Sequence, residues 1–307
     1  MADSSTKYKE AETAFLASEG VRAEEIVVSL ENLGGTVRLL VSGKGPPVLF
    51  VPGVMSTGAV FAGLVGRLAG FRCFMLDRPG TGLSSLPHET PTDLPRQKRF
   101  ADELLAEVLD ALDLERAHVV STSLGGWFTF RSAAAHPDRF ISITGLAFQG
   151  GARVVDAPLS MRLPAPAWLL PKRPKLTKGM VRAMVKSAGM RGAFENGKIS
   201  DEMLLWMVAL LRYTDTFGND STYNPRPIGL RRPTEAVRHP ADLLAKVTVP
   251  VHLFWGSDDL FGGQDSAEEF AGQLPNASLQ MVERAGHAPW LDEPELAAAA
   301  LLGHLTS

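Results

Sequence analysis

The sequence predicts an α/β fold with a doubly wound, mostly parallel sheet, and three features support this. Short apolar runs of the kind found in strands buried on both faces alternate with helical patterns along the chain. The 307 residues are 45% apolar and 21% charged, which is typical of a globular core. No apolar run approaches the roughly 20 residues that cross a bilayer. In such a fold, functional residues follow the carboxyl ends of the strands.

The predicted strands begin with a hairpin at one edge of the sheet. Its strands are Ile26–Leu30 and Val37–Ser42, and the Asn-Leu-Gly-Gly segment at 32–35 forms the turn. Six further runs predict strands, which are Val48–Val51, Phe71–Leu76, Val119–Ser121, Phe140–Leu146, Val251–Trp255 and Ser278–Val282. The clearest helix carries apolar residues at four-residue spacing, which are Phe100, Leu104, Val108 and Leu112.

Residues 151–240 differ in composition from the rest of the chain. They contain nine of the 21 prolines and six of the ten methionines. Between 151 and 235, 14 basic and 7 acidic residues give a net charge of +7, while 17 basic and 27 acidic residues elsewhere give −10. This shift predicts an insertion, with helices at Lys178–Met190 and Asp201–Thr214 and with Ser200 as the N-cap of the second. The second helix is apolar nearly all round, which fits the roof of an apolar pocket or an ordinary buried helix.

The strand-to-helix turn at residues 118–127 carries the strongest chemical signal. The segment reads His-Val-Val-Ser-Thr-Ser-Leu-Gly-Gly-Trp, with Ser123 at the apex and small residues, Ser121 and Gly125, two positions to either side. Such a turn strains the apical residue and exposes its hydroxyl. The helix that follows directs N–H groups and positive partial charge at the place where an oxyanion would develop. Ser123 is therefore the candidate nucleophile.

This turn resembles the Gly-x-Ser-x-Gly nucleophile elbow of the α/β-hydrolase superfamily, with Ser121 in place of the first glycine. Residues 52–56, Pro-Gly-Val-Met-Ser, follow a strand where the superfamily usually has His-Gly. Residues 77–84, Asp-Arg-Pro-Gly-Thr-Gly-Leu-Ser, are similar to its Asp-x-x-Gly-x-Gly-x-Ser loop, and we interpret them as structural. The last two motifs are Gly-Ser-Asp-Asp at 256–259 and Ala-Gly-His-Ala-Pro-Trp at 285–290.

The resemblance implies a Ser-Asp-His triad of Ser123, Asp259 and His287, in the chain order of this superfamily. Asp258 competes with Asp259, and the spacing from the glycine at 256 favours Asp259. The backbone N–H groups of Val54 and Leu124 are the implied oxyanion hole. Substrate contacts are expected from two further residues, Met55 and Trp127.

The resemblance also implies the domain organisation. It predicts an eight-stranded sheet with a helical cap inserted after the sixth strand. The core would comprise residues 1–150 and 241–307, and the cap would comprise residues 151–240.

The implied activity is that of a cofactor-independent serine hydrolase that acts on a medium-sized, mostly apolar ester, lactone or related carbonyl compound. Alternatives with the same triad are an acyltransferase, a thioesterase and a carbon–carbon bond hydrolase, and an alternative of another class is a non-catalytic receptor. The serine at the elbow argues against relatives that use aspartate or cysteine there.

Composition restricts cofactors, partners and location. A net charge of −3 gives no basic footprint for nucleic acid. The single cysteine, Cys73, excludes an intramolecular disulfide and a zinc site built on cysteines. No cofactor or metal is expected. The absence of a secretory pattern at the N-terminus and of a membrane span predicts a cytoplasmic protein, and the oligomeric state stays open.

Overall fold

A single eight-stranded sheet forms the centre of the molecule. The computed structural model describes residues 3–147, 149, 171–223 and 237–307. The strands are β1 (Glu24–Ser29), β2 (Thr36–Gly43), β3 (Pro47–Val51), β4 (Arg72–Leu76), β5 (Ala117–Thr122), β6 (Phe140–Leu146), β7 (Val251–Gly256) and β8 (Ala277–Val282). Their order is β1-β2-β4-β3-β5-β6-β7-β8. The pairs β1–β2 and β2–β4 are antiparallel and the others are parallel. The predicted sheet is confirmed, and each strand ends within two residues of its predicted position.

Helices cover both faces of this sheet. They are α1 (Ser4–Ser18), α2 (Ala62–Val65), α3 (Leu94–Ala111), α4 (Leu124–Ala135), α5 (Lys178–Val185), α6 (Arg191–Glu195), α7 (Asp201–Tyr213), α8 (Thr216–Tyr223), α9 (Ala241–Leu244), α10 (Gln264–Ala271), α11 (Pro289–Asp292) and α12 (Pro294–Leu305). Successive strand residues alternate between two cores: Val120 packs with α1, α2 and α12, and Val119 packs with α3, α4 and α10. This two-sided burial explains why the central strands are continuous apolar runs.

The chain between β6 and β7 contains the helices predicted for the insertion. Ser200 caps α7, since its Oγ accepts a hydrogen bond from the Met203 backbone N–H at 3.1 Å. The prediction of one regular α-helix over Lys178–Met190 is wrong in its second half. Regular α-helix ends at Val185, and a π-helical turn follows in which Gly189 adopts φ of 89°. The cap limits at 151 and 240 stay a prediction, because residues 150–170 and 224–236 lie outside the described residues.

An N-terminal helix, α1, covers one side of α7. The ring of Phe15 stacks on that of Trp206 with centroids 5.1 Å apart. Tyr8 and Glu12 of α1 are buried as well, and the Glu12 carboxylate pairs with Arg38 of β2 at 2.6 Å. This arrangement supplies one of the two coverings that the apolar α7 requires. Helix α1 therefore contacts both the sheet, through Arg38 of β2, and the inserted helix α7, through Trp206.

Arg38 also holds the loop at residues 77–84, which we interpreted as structural. Its Nη1 donates to Asp77 Oδ2 at 3.1 Å, and the Leu83 backbone N–H donates to the same oxygen at 3.2 Å. Burial, with a further contribution from the Glu12 carboxylate, raises the pKa of Asp77 to about 7, although Arg38 opposes the rise. This loop is therefore fixed from the side of the sheet that carries α1.

Candidate active site

Ser123 occupies the predicted strained turn between β5 and α4. Its φ of 53° and ψ of −124° lie in a region that non-glycine residues rarely adopt. Tight packing holds it there: a Cβ on Gly125 would lie 2.1 Å from the Val51 carbonyl oxygen, and one on Gly53 would lie 2.9 Å from the Ser123 Cβ. The small residues of the motif are therefore required for β5 and α4 to approach the β3 loop. The serine side chain remains partly exposed.

Ser121 fits the position where the superfamily has glycine. It is fully buried, and its Oγ donates to Gln149 Oε1 at 3.0 Å. The Gln149 amide in turn donates to the carbonyl oxygens of Leu146 and Ala147. The larger residue is therefore accommodated by a side-chain hydrogen bond.

Asp259 and His287 are in direct polar contact at this edge of the sheet. His287 Nδ1 lies 3.0 Å from both carboxylate oxygens of Asp259, whose side chain is fully buried. The carboxylate also accepts the Phe261 backbone N–H at 3.0 Å. Asp258, the competing candidate, is exposed and accepts a hydrogen bond from Ser257 Oγ at 2.9 Å. The structure thus brings Asp259 and not Asp258 to the imidazole.

The loop that carries His287 is held from three sides. The His287 backbone N–H donates to the Gly189 carbonyl of the inserted segment at 2.9 Å. The Gly286 N–H donates to Asp292 Oδ2 at 3.0 Å, and burial raises the pKa of Asp292. The ring of Phe261 lies 4.4 Å from the imidazole, centroid to centroid. These contacts fix the imidazole plane and leave only 12% of the His287 side chain exposed.

The serine and the histidine are not hydrogen-bonded to each other in this conformation. Within the described ranges, neither Ser123 Oγ nor His287 Nε2 has a hydrogen-bond partner. Catalytic hydrogen bonds are often long in unliganded enzymes and shorten when substrate binds. Ser123 and His287 nevertheless follow the carboxyl ends of β5 and β8, at the same edge of the sheet.

The predicted oxyanion donors lie on two different elements. Leu124 is the first residue of α4, and Val54 lies in the loop after β3. Among the described residues, no acceptor is hydrogen-bonded to either backbone N–H. Both donors therefore remain available for an anion, as the first N–H groups of a helix are in general.

Met55 and Trp127 occupy different environments. Met55, partly buried, follows Val54 in the loop and has a φ of 52°. Trp127 is 1% exposed and packs edge-on against Phe128 at 5.2 Å. It lines a cavity of about 30 Å³ beside Arg78, which accommodates a water molecule rather than a substrate. The predicted substrate contacts of both residues stay predictions.

Several residues that support the site escaped the sequence analysis. They are Gly189, Asp292 and Asp220. Arg78 is a fourth, because the sequence analysis interpreted its loop, residues 77–84, as only structural. The sequence offered a signal for Gly189, because glycine has unusual backbone freedom, and for Asp292, because it lies among apolar residues. It did not show which residues these two contact.

Across the described ranges, no cluster of three or more His, Cys, Asp or Glu residues could hold a metal ion. No described helix is long and apolar enough to span a membrane.

Comparison with known proteins identifies the family. A model of the α/β hydrolase fold matches residues 46–294. The chain belongs to the α/β hydrolase fold family. A relative from Chromobacterium violaceum, named pimeloyl-(acyl-carrier protein) methyl ester esterase, is 29% identical over 270 residues, which cover 86% of this chain and 95% of the relative.

Two further similarities agree with this assignment. A 2-hydroxy-6-oxononadienedioate/2-hydroxy-6-oxononatrienedioate hydrolase from Cupriavidus pinatubonensis is 26% identical over 234 residues, or 72% of each chain. The crystal structure of the carboxylesterase CesB from Bacillus subtilis superposes with a TM-score of 0.71 at 20% identity over 98% of each chain, which shows the shared fold. The relatives are named as hydrolases and esterases, and this α/β hydrolase is an enzyme of that class.

Proposed function

We propose that this α/β hydrolase is a cofactor-independent serine hydrolase that cleaves a medium-sized ester, lactone or related carbonyl substrate through an acyl-enzyme. The observation that carries the proposal is the contact of the buried Asp259 carboxylate with His287 Nδ1, 3.0 Å from each oxygen, at the strand edge that also carries the strained Ser123. A buried carboxylate at this position selects the imidazole tautomer whose Nε2 accepts a proton.

The proposed reaction begins with proton transfer from Ser123 Oγ to His287 Nε2 as the oxygen attacks the substrate carbonyl. Asp259 stabilises the imidazolium that forms. The N–H groups of Val54 and Leu124 donate to the oxyanion of the tetrahedral intermediate. The loss of one such donor typically lowers kcat by about 10² to 10³. His287 then protonates the leaving group, and a water molecule that it activates releases the acyl group.

The segment 151–240 is proposed to act as the cap of the active site. Its Gly189 contacts the His287 backbone, and its Asp220 contacts the Met55 backbone, so it touches both loops that flank the proposed nucleophile. The substrate would enter between these contacts and the edge of the sheet. The excess of basic residues in the segment is compatible with a substrate that bears a carboxylate, but it also fits a solvated face.

The two relatives favour two versions of this chemistry. The name of the C. violaceum protein supports an ester as substrate. The name of the C. pinatubonensis protein supports a second candidate, hydrolysis of a carbon–carbon bond in a 2-hydroxy-6-oxo-dienoate. Ester hydrolysis is measured by turnover of a methyl or p-nitrophenyl ester. Hydrolysis of the carbon–carbon bond is measured by the loss of the dienoate absorbance, and comparison of the two rates separates the candidates.

The test is hydrolysis of short p-nitrophenyl esters by the wild type, Ser123→Ala and a control, Ser132→Ala. Ser132 is buried in α4, and its Oγ has no hydrogen-bond partner in the part of the chain that the structure describes, so its loss is expected to leave kcat unchanged. Ser123→Ala is expected to abolish turnover and the labelling of the chain by a fluorophosphonate. Equal rates for wild type and Ser123→Ala would refute the proposed nucleophile.

A further inference from the structure

We propose that Arg78 and Asp220 form a buried ion pair that positions the oxyanion loop, so that both act as positioning residues for the reaction. The oxyanion loop is the segment Pro52–Ser56 after β3. This inference rests on the proposed function, because it assigns the loop's purpose to stabilisation of the oxyanion. Arg78 belongs to the loop at 77–84 and Asp220 to α8, so the pair joins three separate segments.

The Arg78 guanidinium binds the loop through its carbonyl oxygens. Its Nε donates to the Pro52 oxygen at 3.0 Å and its Nη2 donates to the Gly53 oxygen at 2.7 Å. Arg78 is 1% exposed, and its planar head lies 6.0 Å from the ring of Phe128. Because carbonyl oxygens of consecutive residues accept from one rigid group, the peptide planes that precede Val54 are held in a fixed orientation.

Asp220 completes the arrangement from the opposite side. Its carboxylate lies 3.0 Å from Arg78 Nη2 and accepts a short hydrogen bond from the Met55 backbone N–H. Both side chains are 2 to 3% exposed. The carbonyls before Val54 are therefore bound by a cation and the amide after it by an anion. Among the described residues no acceptor binds the N–H of Val54, the proposed donor, which lies between these two anchors.

The strain in the loop explains why such anchors are needed. Met55 has a φ of 52°, a left-handed conformation that is unfavourable for a non-glycine residue and persists only where the surrounding structure holds it. The Asp220 carboxylate binds the N–H of that same residue. Without it, the loop is free to relax to an ordinary backbone conformation. Relaxation would turn the Val54 peptide away from the position that the oxyanion occupies.

Helix α8 presents Asp220 on a polar face that is buried against the 77–84 loop. Thr216 Oγ1 accepts the Gly82 backbone N–H at 2.8 Å, and Asn219 Nδ2 donates to the Gly80 carbonyl at 2.8 Å. Thr216, Asn219 and Asp220 are spaced i, i+3 and i+4, so they share one side of the helix. All three are less than 9% exposed. This docking fixes the position of the carboxylate independently of its contact with Arg78.

The experiment compares Asp220→Asn with a matched control, Asp102→Asn. Asp102 pairs with Arg131 at 2.7 Å between α3 and α4, and within the described ranges neither side chain is hydrogen-bonded to the oxyanion loop. Two quantities are measured: kcat and KM on a p-nitrophenyl ester, and the affinity of a trifluoromethyl ketone, whose carbonyl takes up Ser123 Oγ and becomes an oxyanion. Asp220→Asn is expected to lower kcat and inhibitor affinity together by about tenfold to a hundredfold, with KM changed less than about threefold. Asp102→Asn is expected to leave both within about twofold.

Two further variants keep the test decisive if Asp220→Asn folds poorly. The pair Arg78→Met with Asp220→Leu removes both charges of this ion pair, so that neither is left buried without the other, and it is expected to fold and to show the same fall in kcat. Asp220→Glu restores the charge and is expected to recover part of kcat. A purely structural pair would lower the unfolding temperature and leave kcat per folded molecule unchanged, which would overturn the inference. Turnover by Ser123→Ala would instead refute the proposed function, and the positioning role would fall with it.

Discussion

Three histidines near the amino end of the sheet and one histidine at its carboxyl end differ in the partners of their imidazole rings. At the amino end, His118 on β5, His252 on β7 and His304 on α12 pair with neutral partners. At the carboxyl end, His287 pairs with the Asp259 carboxylate. Strands β5 and β7 run from one region to the other. Each carries a histidine near its start and leads at its end to a proposed catalytic residue, which is Ser123 after β5 and Asp259 after β7. The difference lies in the partner of each imidazole.

The partners of these three histidines are hydroxyls and a carbonyl. His118 Nδ1 lies 2.8 Å from Ser142 Oγ, His252 Nδ1 lies 2.9 Å from Ser278 Oγ, and His304 Nε2 lies 3.1 Å from the Ile143 oxygen. Burial lowers the pKa of each, and that of His118 falls to about 4. These histidines stay neutral at physiological pH and act as polar core residues. A carboxylate partner, by contrast, orients an imidazole and stabilises the imidazolium that forms when it accepts a proton.

The largest expected effect separates His287 from His118. Replacement His287→Gln removes the proposed base and is expected to lower kcat/KM by at least about 10⁴-fold. His118→Gln removes a buried imidazole of the same kind at the other end of β5 and is expected to change kcat/KM by less than about twofold. Steady-state hydrolysis of a p-nitrophenyl ester measures both. Comparable losses in the two variants would show that histidine at either end serves only stability.

The next effect concerns the carboxylate. Asp259→Asn is expected to lower kcat by about 10³ to 10⁴, because an amide presents the wrong hydrogen-bonding group to Nδ1 and favours the unproductive tautomer. Asp258→Asn changes an exposed neighbour and is expected to leave kcat unaltered. The pair is compared by kcat on the same ester, with thermal unfolding to check that both variants fold. Loss of activity in Asp258→Asn alone would reverse the assignment of the acid.

The smallest effect is a change in stability with pH. The pKa of His118 in the folded chain, about 4, lies below its unfolded value of about 6.5, so the unfolded chain binds the proton more readily. Its contribution to stability is complete above about pH 6.5 and is lost as the pH falls towards 4. His118→Gln is expected to reduce the loss of unfolding free energy between pH 7 and 5 by about 2 kcal/mol.

Urea unfolding at the two pH values measures this difference, with His88→Gln as a variant at an exposed loop position. If the free energy of unfolding fell by the same amount between pH 7 and pH 5 in the wild type and in His118→Gln, the neutral role of His118 would be wrong. Activity of the folded fraction is expected to be the same in both proteins, which separates this effect from that of His287.

Local patterns were enough to predict the sheet and the positions of the motifs. The apolar runs predicted the central strands within two residues because strands buried on both faces need continuous apolar sequence. Helix α1 escaped detection, although Asp3 caps it and Tyr8, Glu12, Phe15 and Leu16 form its buried face. The reason is Glu12: a carboxylate in the buried face breaks the apolar pattern, and only its pairing with Arg38 explains it.

The sequence by itself determined the family, the strained turn at Ser123 and the order of the three proposed catalytic residues. Each motif behind these conclusions is a short stretch of chain whose backbone preferences act locally, and the order of the motifs can be read directly from the sequence. Only the tertiary structure decided that Asp259 rather than Asp258 meets His287, that Gly189 contacts the same loop, and that Arg78 pairs with Asp220. These contacts join segments 28 to 142 residues apart. Ion pairs and hydrogen bonds of that range have no local periodicity, and burial selects them only after the loops have been brought together.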